Sequence, residues 1–311
     1  MGRTSVIPAK AGIHGFLVLL IAVAAGCADR PASPARGLEG RIWDTRAERF
    51  VNEDDLVRRL RDVRFRLLGE VHDHPAHHRQ RAALIRELGT PGEIYFEQFD
   101  RDHDAELREA QRAGADADGL AKAGRLDAAW KWPLHRPLVE VALAAPVQVR
   151  AANLSAADGR RIARAGKLGP QDAALERALS GADWTAPREA ALRADILDGH
   201  CGALPEKIAP AMALAQRARD ATIAMALAGA AGSAVLVAGN GHVRRDLGVP
   251  LYLPRGATFL SVGFLETQPG EADPRDYALG ANSEAKYDYI WFTAPQPRPD
   301  PCEKLRKRPA A

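Results

Sequence analysis

The chain of 311 residues has no apolar run long enough to span a bilayer as a permanent helix. It has no concentrated basic face, no internal repeat and no phosphate-cradling loop. It also lacks the two-histidine helical zinc motif and any serine or cysteine nucleophile signature. These absences argue against a transmembrane protein, a solenoid, a nucleotide-binding P-loop protein and a serine or cysteine hydrolase. They also argue against nucleic acid as a partner, because phosphate backbones are met by clustered Lys and Arg. The formal charge of +3 hides a slightly acidic body. Arg3 and Lys10 precede residue 26 without an acid, and residues 298–308 hold five basic residues against two acids.

Cysteine is scarce, at three residues. Cys27 closes the stretch Ala24-Ala25-Gly26-Cys27, which follows the basic Arg3 and Lys10 and a short apolar run over 16–25. This pattern predicts a signal peptide over 1–26, ending in a lipobox whose Cys27 thiol takes the lipid. Residues 27–40 then form a Pro/Ala/Ser/Gly tether. Ala28, rather than Asp, after Cys27 favours the outer membrane, with the protein facing the periplasm or the cell surface. With Cys27 acylated, Cys201 and Cys302 remain. An exported, oxidising compartment predicts a disulfide between them that pins the tail of 295–311 to the body.

What is present is strand–helix alternation. A hairpin is expected at 42–44 and 48–51, and strands at 64–68, 93–97, 147–151, 234–238, 258–265 and 288–293. Helices are expected at 53–61, 75–88, 102–113, 137–144 and 206–228, with a loose stretch after 113. Residues 154–204 break into Ala/Arg/Leu helical pieces. The expected fold is α/β: a mostly parallel sheet with helices on both faces, built from 41–153 and 205–294, plus a smaller all-helical subdomain over 154–204.

Four of the expected strands run into polar residues at one edge. They lead to Glu70 and His72, to Glu97, to Asn153, and to Gly239-Asn240-Gly241-His242. In a parallel sheet these tips share the carboxyl edge, where open α/β folds place ligands. Four of the nine histidines lie between 72 and 78. His77 and His78 fall in the first turn of a helix, whose dipole disfavours imidazolium and so favours the neutral, metal-binding form. His74 and His77 read as water-facing, His72 as buried at a strand tip, and His200 as a polar residue of the insert. Glu97 buried alone would be costly, and Arg219 is an expected partner. Asn240 is placed to orient a ligand or an imidazole. The site set is therefore Glu70, His72, His78, Glu97, Asn153, Arg219, Asn240 and His242, with His72 and His242 as metal ligands. It serves two classes of function. One is a haem-binding module, with His or Tyr on the iron and Arg on the propionates. The other is a metal-assisted hydrolase with Glu70 as base and His72 and His242 as ligands or proton carriers.

The stretch Gly69-Glu70-Val71-His72-Asp73-His74-Pro75-Ala76-His77-His78 resembles the opening motif of ChaN-like haem-binding uptake lipoproteins. Residues 219–225, 238–250 and 288–293 resemble their later motifs, and the likeness runs over about 40–294. The wider group includes Tiki proteases and erythromycin esterases. They share a Gly-Glu-x-His-like motif, here Gly69, Glu70 and His72, and a later Gly-x-Gly-His-like motif, here Gly239, Gly241 and His242. The resemblance implies haem as cofactor, haem or iron acquisition outside the cytoplasm, membrane attachment through the lipid, and room for a homodimer around the ligand. It leaves the axial ligand open among the histidines, Tyr95, Tyr252 and Tyr289. The hydrolase alternative calls for a divalent metal instead of haem.

Overall fold

A computed structural model describes residues 37–303 apart from 90–91, 127–129 and 301. The signal peptide, Cys27 and most of the tether lie outside the described residues. The first elements are β1 (Ile42–Asp44), β2 (Arg49–Val51), α1 (Glu53–Arg61), β3 (Phe65–Leu68), α2 (Pro75–Leu88) and β4 (Glu93–Asp100). Next come α3 (Asp104–Arg112), α4 (Ala117–Ala123), α5 (Arg136–Leu143) and β5 (Gln148–Asn153). The helical run is α6 (Ala156–Ala165), α7 (Ala173–Gly181), α8 (Ala186–Gly199) and α9 (Ala209–Ala228). The chain closes with β6 (Ala234–Val237), α10 (Asn240–Val243), β7 (Phe259–Glu266), α11 (Arg275–Ala278) and β8 (Tyr289–Thr293).

The strands form one eight-stranded sheet in the order β2-β1-β8-β7-β3-β6-β4-β5. Every pairing from β8 to β5 is parallel, and only the β1 pairings, to β8 and β2, are antiparallel. The α/β expectation holds. Among the described residues, no helix is long and apolar enough to cross a membrane.

Alternation along each strand divides the core into two layers, as the period of two requires. Phe65, Leu67, Tyr95, Leu236, Ile290 and Phe292 pack under α9 residues Ile223, Ala224 and Leu227. Leu68, Ile94, Phe96, Val235 and Val237 face the other way, onto Leu56 and Leu60 of α1, Leu84 and Ile85 of α2, and Leu138 and Val139 of α5. Helices thus cover both faces, and the central strands carry no solvent side.

Local signals set most boundaries. Asn52 caps α1 by accepting from Asp55 N at 2.8 Å. Pro75 occupies the first turn of α2, where its missing N–H costs nothing. Three α-helices were not expected: the short Asn240–Val243 and Arg275–Ala278, and residues 117–123, expected as loose chain. Asp116 caps the helix of 117–123 by accepting from Gly119 N, and the buried Leu120 pins it to the core. The helices of 156–199 are strand-free as expected. Leu154, Ile162, Leu175 and Leu179 bury against Ala215, Ala218 and Ala221 of α9, so the helical layer shares its core with the helix that roofs the sheet. The Cys201–Cys302 disulfide is present, with Cα atoms 5.5 Å apart.

Candidate functional site

The four strands that end in polar residues are neighbours. β3, β6, β4 and β5 lie side by side and parallel, so Glu70, His72, Gly239–His242, Glu97 and Asn153 meet at one carboxyl edge. There they line an open cleft of about 560 Å³ together with Val71, Trp130, Gln216 and Arg219. This volume falls within the usual range for small-molecule sites, roughly 300–1,000 Å³.

Glu70 is fully buried, bonded to His72, Gln98 and Arg81 and close to His78. Its Oε1 accepts from His72 Nδ1 at 2.9 Å and from Gln98 Nε2 at 3.1 Å. Its Oε2 is ion-paired with the Arg81 guanidinium and lies 2.9 Å from His78 Nδ1. The His72 ring was expected to be buried, but about half of it is exposed. It stands edge-on to Trp130, with ring centres 4.8 Å apart. Its Nδ1 faces Glu70, and its Nε2 has no hydrogen-bond partner among the described residues. Gly239 makes room for this ring: a Cβ there would sit 2.7 Å from His72 Cε1 and 2.9 Å from Nε2.

His242 is held differently. Its Nδ1 pairs with Asp220 at 2.6 Å and its Nε2 with Glu97 at 3.1 Å. Burial alone would depress this imidazole, but the two carboxylates outweigh burial and raise it to about 10. It is therefore an imidazolium at neutral pH, with both nitrogens donating. Burial acts on Glu97 too, yet the His242 cation and the Gly239 N–H hold its carboxyl well below the ordinary range. Asp220 goes the other way: burial outweighs His242 and lifts it to about 6. Glu97 thus takes His242 as its partner, and the expected Glu97–Arg219 pair does not form among the described contacts. One residue of helical phase explains this. Asp220 lies on the α9 stripe with the buried Ala213, Ala224 and Leu227, while Arg219 is turned toward the cleft and α6. A Cβ at Gly159 of α6 would meet the Arg219 guanidinium at 2.7 Å.

Several other expectations are redirected. His74 and His77 do not face water; both are buried, with rings stacked at 3.9 Å. His77 accepts from Val71 N at 3.0 Å and donates to Thr293 Oγ1 at 2.8 Å, lacing the loop after β3 to β8. The Asn240 amide turns into the sheet, donating to Phe264 O and accepting from Phe264 N, where it continues the ladder of β7. Asn153 faces the cleft with its Oδ1 buried and without a partner among the described residues. His200 is a polar residue near the end of α8, bonded to Ile196 O. None of the tyrosines considered as ligands lines the cleft. Tyr95 bonds Glu93, Tyr252 bonds Arg217, and Tyr289 is buried in the layer on the opposite face of the sheet from α9.

His78 carries its proton on Nε2, which donates to His72 O at 3.1 Å, and burial holds the ring at about 4. The expected neutral imidazole is found, with desolvation as the main cause. Arg81 and His135 escaped sequence reading. His74, His77, His78 and Arg81 have the i, i+3, i+4, i+7 spacing of one helix stripe, so Arg81 was readable from periodicity. His135 gives no comparable signal, since it precedes α5 in an irregular stretch.

Fold and cleft together define an open α/β domain with a polar-lined cleft at the carboxyl edge of its sheet. Residues 56–253 match the profile of the haem-binding uptake, Tiki superfamily, ChaN family. The chain belongs to that family. Among solved structures it is similar to ChaN of Campylobacter jejuni, described with cofacial haem binding. That match has 19% identity and a TM-score of 0.65, and covers 80% of this chain and 95% of that one. A fainter likeness, at 14% identity and a TM-score of 0.36, is to the erythromycin esterase EreC, covering 76% of this chain and 81% of that one. Among curated proteins none matches.

Proposed function

We propose that this chain is a lipid-anchored haem-binding protein of haem or iron uptake, holding the porphyrin in the carboxyl-edge cleft with His72 on the iron. The observation that carries this reading is the state of His72. Its Nδ1 is tied to a buried carboxylate, and its Nε2 stands at an open cleft with no hydrogen-bond partner among the described residues. A carboxylate on the far nitrogen orients a ligating imidazole and raises its basicity. His242 is unsuited to the same task, because both of its nitrogens donate to carboxylates. Trp130 and Val71 supply apolar wall, and Arg219 supplies a cation for a propionate. The cofacial haem described for the Campylobacter jejuni relative supports an open, face-on cleft. The anchor rests on the Ala24-Ala25-Gly26-Cys27 stretch, and acyl chains on Cys27 would hold the chain at a bacterial membrane.

In the hydrolase alternative the proton acceptor would be the Glu70–His72 pair, since both Glu70 oxygens are already occupied. Titration with haemin separates the two readings. The wild-type chain is expected to give a saturable, shifted Soret band, and His72→Ala to bind at least tenfold more weakly. A His72→Ala variant that titrates like wild type would remove His72 as the ligand, and the cleft assignment with it.

A further inference from the structure

Behind the cleft floor lies a second cluster, made from Glu70, His78 and the unanticipated His135. The His78 and His135 rings are fully buried, with centres 4.4 Å apart. One ligand atom from each of Glu70, His78 and His135 lies within 4.8 Å of the other two. His135 is the anomaly: it is wholly excluded from solvent, yet neither Nδ1 nor Nε2 has a partner among the described residues. Buried polar atoms are nearly always satisfied, so a bare imidazole pointing at a carboxylate and a second imidazole calls for an explanation.

We propose that Glu70, His78 and His135 form a site for a divalent first-row transition metal. Two imidazole nitrogens and one carboxylate oxygen suit Fe²⁺, Co²⁺ or Zn²⁺, whereas Mg²⁺ and Ca²⁺ prefer oxygen sets. Bonds of about 2.0–2.2 Å place ligand atoms roughly 3–3.5 Å apart, so the widest of the three separations, up to 4.8 Å, must close as the metal binds. Arg81 holds the metal's place meanwhile. Its guanidinium pairs with Glu70 Oε2 and donates to His78 Nδ1 at 3.1 Å, so it rests on the same donors a metal would use. It keeps the buried carboxylate from standing unpaired when no metal is bound, and it must withdraw for one to enter. Entry is from the cleft, which Glu70 lines. The proposal does not depend on haem, since His78 and His135 are absent from the cleft lining.

The test is a Co²⁺ titration of the haem-free full chain, followed by visible d–d absorption. The wild type is expected to take one equivalent. His135→Ala is expected to bind at least tenfold more weakly with its circular dichroism retained. Arg81→Met removes the competing cation and is expected to bind at least tenfold more tightly, a gain that misfolding cannot produce. Absence of an equivalent in the wild type, or binding that His135→Ala leaves intact, would overturn the site. Unchanged affinity in Arg81→Met would overturn the place given to Arg81. A chain that binds cobalt but not haemin would remove only the haem reading, and the converse only this one.

Discussion

At the residue scale the site is governed by which imidazoles carry a proton. His242 is held charged to about pH 10 between Glu97 and Asp220. Its folded pKa lies above the unfolded value of about 6.5, so its contribution to stability is complete below pH 6.5 and disappears as pH rises through 10. His77, His78 and His135 are the reverse case. Burial lowers them to about 2, 4 and 2, so the unfolded chain binds protons that the folded chain refuses, and stability falls as pH drops below 6.5. Asp220 opposes them, because the fold raises it to about 6 and releases its proton on unfolding in acid. The three histidines less Asp220 predict uptake of about two protons per molecule on unfolding at pH 5. Calorimetry in buffers of different ionisation heat measures this number, and zero uptake would contradict the buried neutral imidazoles. Residue types alone nominated Glu97 and His242, but not their protonation, which depends on partners 22 to 145 positions away in the chain. Glu97 meets His242 only because β4 and β6 are neighbours.

At the scale of elements, the decisive contact is between the loop after β3 and the turn after β6. Gly239 has φ −62° and ψ 151°, a conformation open to any residue, so its smallness serves space and not backbone freedom. In Gly239→Ala the new Cβ crowds the half-exposed His72 ring, which can swing outward at little cost to folding, and makes an ordinary contact with Glu97 Oε2 at 3.6 Å. The expected outcome is a melting temperature within about 2 °C of wild type and haemin affinity reduced about tenfold. A large loss of stability with normal haem binding would show that Gly239 serves the fold instead. The elements themselves were largely legible, because two-residue and helical periodicities are local and caps such as Asn52 mark their ends. Residues 117–123 were not legible as a helix, since Asp118 and Gly119 interrupt an otherwise favourable Ala/Leu/Lys run, and burial of Leu120 decided the matter. The face of α9 was equally hidden. Arg219 and Asp220 differ by one position, about 100° of helix, and only packing on the sheet shows which points inward.

At the scale of the whole molecule, the Cys201–Cys302 disulfide ties the C-terminal segment to the end of α8 across 101 residues. Closing a loop of that size constrains the unfolded chain, by up to about 4–5 kcal/mol in the chain-entropy account. Reduction, or paired Cys→Ser substitution, is expected to lower the urea midpoint substantially while leaving the sheet's circular dichroism intact. An unchanged midpoint would show that the bridge constrains nothing. The amino-acid sequence by itself determined the α/β alternation, the buried central strands and the polar endings of four of them, since each follows from hydrophobic spacing within a dozen residues. Only the tertiary structure decided the strand order that makes those endings neighbours. It also turned Asn240 into the sheet, gave Glu97 to His242 and set the buried His135 beside Glu70. Those choices depend on contacts between distant segments, and no local pattern encodes which strand lies next to which.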